Sequence, residues 1–100
     1  MIKQLEKEVN LEDVLTNEKT IVVFSAIWCG PCNMLVESID DYLKENKANF
    51  IKVDVDSHTE LCKKFGVMSV PTLKLFENKN IIKETTGYLD VVDLGKFITE

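Results

Sequence analysis

The sequence contains no arginine, and its twelve basic residues are all lysines scattered along the chain. Nucleic-acid binders usually concentrate basic charge on one face, with arginine among their contacts. With a net charge of −5, this chain is expected to have no nucleic-acid partner. Long apolar runs are missing too. The longest, Ile21 to Trp28, falls far short of the roughly 20 residues that span a bilayer, so no membrane partner is expected. Met1–Glu8 alternates apolar with charged residues and lacks the apolar stretch of a leader peptide. The expectation is a cytoplasmic protein. There is no glycine-rich nucleotide-binding loop, and no internal repeat, low-complexity tract or linker.

What is present suits a single compact domain over residues 1–100, with 45% apolar and 29% charged residues. Thr20–Ala26 is β-branched and almost wholly apolar, as a central strand buried on both faces should be. Residues 21, 23 and 25 should face one way, and 22, 24 and 26 the other. Ile2 and Leu5 suggest a short first strand. Asn10 caps a short helix bearing Leu11, Val14 and Leu15. Leu35, Ile39, Tyr42 and Leu43 recur at helical spacing after Cys32, opposite Glu37, Asp40, Asp41, Lys44 and Glu45, which predicts a long amphipathic helix ending near Asn46. Asn49–Asp54 reads as a second inner strand. Ser57 with Glu60 fits a capping box for a short helix carrying Leu61, Cys62 and Phe65 and ending at Gly66. Strands 72–76 and 81–85 flank a turn at 77–80. Asp90 caps a last helix with Val91, Leu94, Phe97 and Ile98 facing inward. The order β-α-β-α-β-α-β-β-α requires parallel pairing first and an antiparallel hairpin at the end.

The chemistry is expected at Trp28-Cys29-Gly30-Pro31-Cys32, on the turn from the central strand into the long helix. Two cysteines separated by two residues either close a disulfide ring or share a metal. A helix start places unpaired N–H groups and the positive end of the dipole beside Cys29, favouring its thiolate, while Cys32 lies one turn in and should be more buried. The metal alternative pairs Cys29 and Cys32 with His58 and Cys62, a spacing similar to zinc-ligand spacing. Against it, Cys62 sits on an apolar helix face, where a cysteine is usually a small hydrophobe, and His58 is expected at the surface.

These five residues, together with Val70-Pro71-Thr72 and Gly87, resemble the thioredoxin family over nearly the whole chain, Ile2 to Ile98. The resemblance implies an α/β thioredoxin fold, with a mixed five-stranded sheet flanked by four helices. It also implies a protein-disulfide reductase that uses no cofactor beyond the Cys29–Cys32 pair. Cys29 attacks a client's disulfide and Cys32 resolves the mixed disulfide. Trp28, Gly30, Pro31, Val70, Pro71 and Gly87 would form the client-binding surface, with Met68 at its edge. The Val70–Pro71 bond would be cis and face the cysteines. Implied partners are disulfide-containing client proteins and a thioredoxin reductase as electron donor, with the chain a monomer. An isomerase or a reductase for one particular partner is the alternative on the same fold. The sequence departs from the family in two places. Many members carry a buried aspartate where this chain has Val23, although the neighbouring lysine is kept as Lys52. The proline usual in the long helix is replaced by Glu37. Water is expected to take over the missing acid's role at Cys32.

Overall fold

The continuous apolar stretch at residues 20–25 becomes the middle of the sheet, because only an interior strand can bury both of its faces. In the computed structural model, which describes residues 2–100, this strand is β2 (Thr20–Ser25), and every residue in it is buried. Met1, the first residue of the expected domain and of the segment read for a leader, lies outside the described residues. The other elements are β1 (Ile2–Gln4), α1 (Leu11–Val14), α2 (Gly30–Glu45), β3 (Asn49–Asp54), α3 (Thr59–Lys64), β4 (Thr72–Glu77), β5 (Asn80–Thr86) and α4 (Val91–Thr99). The sheet has five strands in the order β1-β3-β2-β4-β5. The β1–β3 and β2–β3 pairs are parallel, and the β2–β4 and β4–β5 pairs antiparallel. This is the expected mixed sheet with four helices.

Strand alternation divides the core in two. Ile21 and Val23 pack with Leu35, Ile39 and Tyr42 of α2 and with Leu94 and Ile98 of α4. Val22 and Phe24 face the other way, against Leu11, Leu15, Ile51, Val53, Cys62 and Phe76. There the rings of Phe24, Phe65 and Phe76 meet edge-on or tilted, with centroids 6.2 Å and 5.8 Å apart. Each such side chain removed from water contributes roughly 1.5–3 kcal/mol.

Buried polar groups on this second face are paired. Lys74 of β4 is only 5% exposed and forms an ion pair with Glu84, which stands opposite it on β5. His58 is 8% exposed, and its Nε2 lies 3.3 Å from the carbonyl of Leu5.

Three local expectations need correction. Ser57 does not cap α3, whose N-terminal boundary residue is His58. The Ser57 hydroxyl instead donates to the Asp54 carboxylate at 3.1 Å, so the turn after β3 captures it before the helix can. His58 is interior rather than on the surface, because the segment after β1 folds over it. Val91 is 37% exposed; α4 turns Leu94 and Ile98 to the core, with Phe97 packed at the margin. The Asp90 cap forms as expected, its carboxylate accepting from the Asp93 N–H at 2.8 Å. Asn10 precedes α1 without a side-chain cap bond. The hairpin loop is two residues, Asn78 and Lys79, with φ of 52° and 66°, the positive values that match the twist of flanking strands.

Candidate active site

β2 ends at Ser25, and α2 begins at Gly30, so residues 26–29 turn the chain sharply beyond the end of the central strand. Cys29 is the N-cap of α2. Its Sγ accepts the Cys32 N–H at 3.2 Å, as a capping oxygen would in a helix begun by serine or aspartate. Pro31 occupies the first turn of α2, where the N–H it lacks has no intrahelical partner. The Cys29 and Cys32 sulfurs are bonded, with Cα atoms 5.2 Å apart. Cys29 is 6% exposed and Cys32 1%. Both are enclosed, and the order of burial is the expected one. A thiolate at Cys29 would sit where the helix's first N–H groups converge, and no acidic residue of the first turn opposes it.

The facing wall is Val70–Pro71, joined by a cis peptide bond. The Val70 carbonyl oxygen lies 3.8 Å from Cys29 Sγ. Val70 packs with Ala26, Cys29 and Cys32. Gly87 closes a third side. Its N–H donates to the Pro71 carbonyl at 2.8 Å, and its φ of +92° suits glycine and strains any other residue. Trp28, Gly30 and Pro31 are exposed around the disulfide. The structure therefore brings together three separate segments of the chain: Trp28, Cys29, Gly30, Pro31 and Cys32; Val70 and Pro71; and Gly87. Met68 is 96% exposed and lines a shallow groove of about 290 Å³ with Trp28, Val67, Ser69, Val70 and Cys62.

The four ligands of the metal alternative are not assembled. Cys29 and Cys32 are bonded to each other, and the His58 ring is turned to the Leu5 carbonyl. Among the described residues, no group of three or more His, Cys, Asp or Glu is placed to hold a metal. Cys62 is a free, buried thiol. Burial first, and then the carboxylates of Asp54 and Asp56, push its pKa above the ordinary value.

Several residues at the site escaped the sequence reading. Asp56 accepts the Trp28 indole N–H at 2.9 Å. The pairing of β2 with β3 brings the ends of these strands side by side, and no local motif marks it. Tyr88, next to Gly87, receives a 3.1 Å hydrogen bond from Ser38 of α2, tying the Gly87 loop to the helix that carries the cysteines. An exposed tyrosine after the glycine was the only available signal.

The sequence model of the family described as Thioredoxin matches residues 1–100. A thioredoxin of Mycoplasma genitalium is 31% identical over 99 residues, covering 94% of this chain and 97% of that protein. A bifunctional thioredoxin reductase/thioredoxin of Mycobacterium leprae is 37% identical over 78 residues, covering 75% of this chain and 17% of that protein. The crystal structure of reduced Schistosoma mansoni thioredoxin pre-protein superposes with a TM-score of 0.87 at 27% identity, covering 97% of this chain and 94% of that one.

Proposed function

The chain belongs to the thioredoxin family, and from that premise we propose how its residues divide the work. It is a dithiol–disulfide oxidoreductase of the protein-disulfide reductase type, working through Cys29 and Cys32 without a cofactor. The observation that carries the division of roles is the unequal setting of the two sulfurs. Cys29 caps the helix beside Val70, whereas Cys32 lies inside the first turn.

Cys29, as thiolate, attacks one sulfur of a client disulfide. A Cys29–client mixed disulfide forms, and the client's other sulfur leaves. Cys32 then attacks Cys29 Sγ, the Cys29–Cys32 bond forms, and the client departs fully reduced. The oxidised pair seen here is the product of that step. Trp28, Gly30, Pro31, Val70, Pro71 and Gly87 form the docking surface. An extended client segment lies along the Val70 backbone as an added strand does, and Gly87 permits close backbone approach. The Gly-Pro pair between the cysteines belongs to the reducing end of the family, about −270 mV in thioredoxins.

A thioredoxin reductase returns the electrons, as the fused relative from Mycobacterium leprae suggests by joining both names in one protein. We assign residues 1–100 to one working domain, a monomeric electron carrier acting in the cytoplasm. Among the described residues, no helix is long and apolar enough to cross a membrane.

Two measurements on one preparation test the reading: the Cys29–Cys32 reduction potential, and thiol-driven reduction of a model protein disulfide. A strongly reducing potential with turnover is expected. An oxidising potential would make the chain an oxidase or isomerase.

A further inference from the structure

On the side of the dithiol away from Val70 and Pro71, a second cleft of about 290 Å³ reaches Cys32. Gln4, Ser25, Asn33, Lys52 and Asp54 also line it. Its position follows from strand register. In the parallel β2–β3 pair, Val23 stands opposite Lys52 and Ser25 opposite Asp54, and residues in register share a sheet face. Val23 packs against Leu35 and Ile39 of α2. The same face, one step further along both strands, therefore turns Ser25 and Asp54 toward the first turn of α2, where Cys32 sits. The carboxylate missing at Val23 is present one strand over and two residues on.

Asp54 is held in place there. Its Oδ1 accepts the Asp56 N–H and its Oδ2 the Ser57 hydroxyl, both at 3.1 Å. Each oxygen keeps a lone pair for a further donor. The cleft is large enough for water, and the polar groups of Ser25, Asn33, Lys52 and Asp54 supply the partners that ordered water needs.

We propose that Asp54, through water in this cleft, takes the proton from Cys32 as the mixed disulfide resolves. The proposal rests on the oxidoreductase reading above. The Cys32 S–H proton passes to water, and that water's proton to the Asp54 carboxylate. The Cys32 thiolate attacks Cys29 Sγ, forming the Cys29–Cys32 bond and breaking the bond from Cys29 to the client. The client sulfur leaves with the electron pair and is protonated from solvent. The cysteines are oxidised and the client reduced. Among the residues lining the cleft, β3 supplies the two charged groups, Lys52 and Asp54. β1 supplies Gln4, β2 Ser25 and α2 Asn33 and Val36, all uncharged. The turn bonds from Asp56 and Ser57 fix the position of the carboxylate.

Rapid-mixing kinetics with a model disulfide protein separate the two phases, formation of the mixed disulfide and its decay. If Asp54 accepts the proton, decay in the unmodified chain changes little with pH across the neutral range, as general-base catalysis requires. If only the free thiolate reacts, decay rises about tenfold per pH unit up to the thiol pKa, and that result overturns the proposal. In Asp54→Asn the tenfold-per-unit rise should appear, with decay at least tenfold slower at pH 6, while formation is unchanged. Asp54→Glu, which keeps a carboxylate at the cleft, should restore most of the flat profile. An Asp54→Glu profile matching Asp54→Asn would assign the effect to the altered turn and overturn the proposal. The profile of the unmodified chain decides by itself if Asp54→Asn does not fold. Failure to form any mixed disulfide would sink the oxidoreductase reading as well, and normal formation with a tenfold-per-unit decay would remove Asp54 alone.

Discussion

The two faces of the sheet handle polar groups differently. Toward α2 and α4 the interior is apolar, with Ile21, Val23, Leu35, Ile39, Leu94 and Ile98 at its centre. Polar and reactive groups on this face, Cys32, Ser25, Lys52 and Asp54, gather at one end, where the cleft admits solvent. Toward α1 and α3 the interior encloses Lys74 and His58, and each has a specific partner far away in sequence or across the hairpin. At its solvent-reached end the first face keeps polar groups available for reaction, whereas the polar groups of the second hold segments together. Substitutions on the two faces should therefore separate activity from stability.

The largest effect is expected at the reactive end. Cys29→Ser should abolish turnover of a protein disulfide while leaving the melting temperature of the reduced chain nearly unchanged. Cys32→Ser should still attack and then stall, leaving a client-linked adduct visible by mass spectrometry.

Next comes Val23→Asp, which places a carboxylate in the fully buried centre of the first face. Removing an unpaired buried charge from water costs roughly 3–5 kcal/mol. Burial raises that carboxyl's pKa, so the unfolded chain ionises first as pH rises. The loss should therefore shrink toward acid pH, which thermal melts at several pH values would show. Equal stability to the unmodified chain at neutral pH would contradict an apolar centre.

On the second face, Glu84→Ala leaves Lys74 buried without its carboxylate. About 2 kcal/mol of stability should go, lowering the melting temperature by roughly 10 °C with disulfide reduction per folded molecule intact. Lys74→Met should come within about 1 kcal/mol of the unmodified chain, since an apolar isostere removes the charge together with its need for a partner.

Gly87→Val forces a branched side chain into a backbone conformation it rarely adopts, costing roughly 1–3 kcal/mol. It should raise KM for protein clients more than it lowers kcat.

The smallest effect belongs to Cys62. Burial holds its thiol pKa above the ordinary 9.0, so above that pH the unfolded chain loses the proton first and stability falls. Cys62→Ala should remove the fall in stability that sets in as pH rises through the range where a thiol ionises in the unfolded chain. Alkylation of Cys62 at neutral pH should lag far behind that of reduced Cys29.

The first face was the more legible in the sequence, and the reason is physical. Its elements are long and regular. The β-branched run at 20–25, the 3.6-residue spacing of Leu35, Ile39 and Tyr42, and the Asp90 cap each signal their structure within a few residues. The reactive turn was readable because Trp28–Cys32 is contiguous and its opposing wall, Val70–Pro71, is a recognisable pair. What stayed hidden depends on distant partners. His58 is buried because Leu5 closes over it. Asp56 reaches Trp28 because β2 and β3 run in parallel register. Ser57 looked like a cap because local spacing allowed it, and Asp54 won the hydroxyl instead. The charge at Asp54 was read only as part of a strand, because register alone turns it toward Cys32.

The hydrogen bond from Ser38 to Tyr88 bears on how clients dock. It ties the loop carrying Gly87 to the helix carrying both cysteines, so on the proposed docking surface this loop has less conformational freedom to lose. Ordering a loop's side chains on binding costs about 0.5–1.5 kcal/mol for each one immobilised, and the Ser38 bond already holds Tyr88. On that proposed surface the tether lowers the ordering cost of docking, so Tyr88→Phe, which removes the bond's acceptor and keeps the ring, should weaken client affinity slightly.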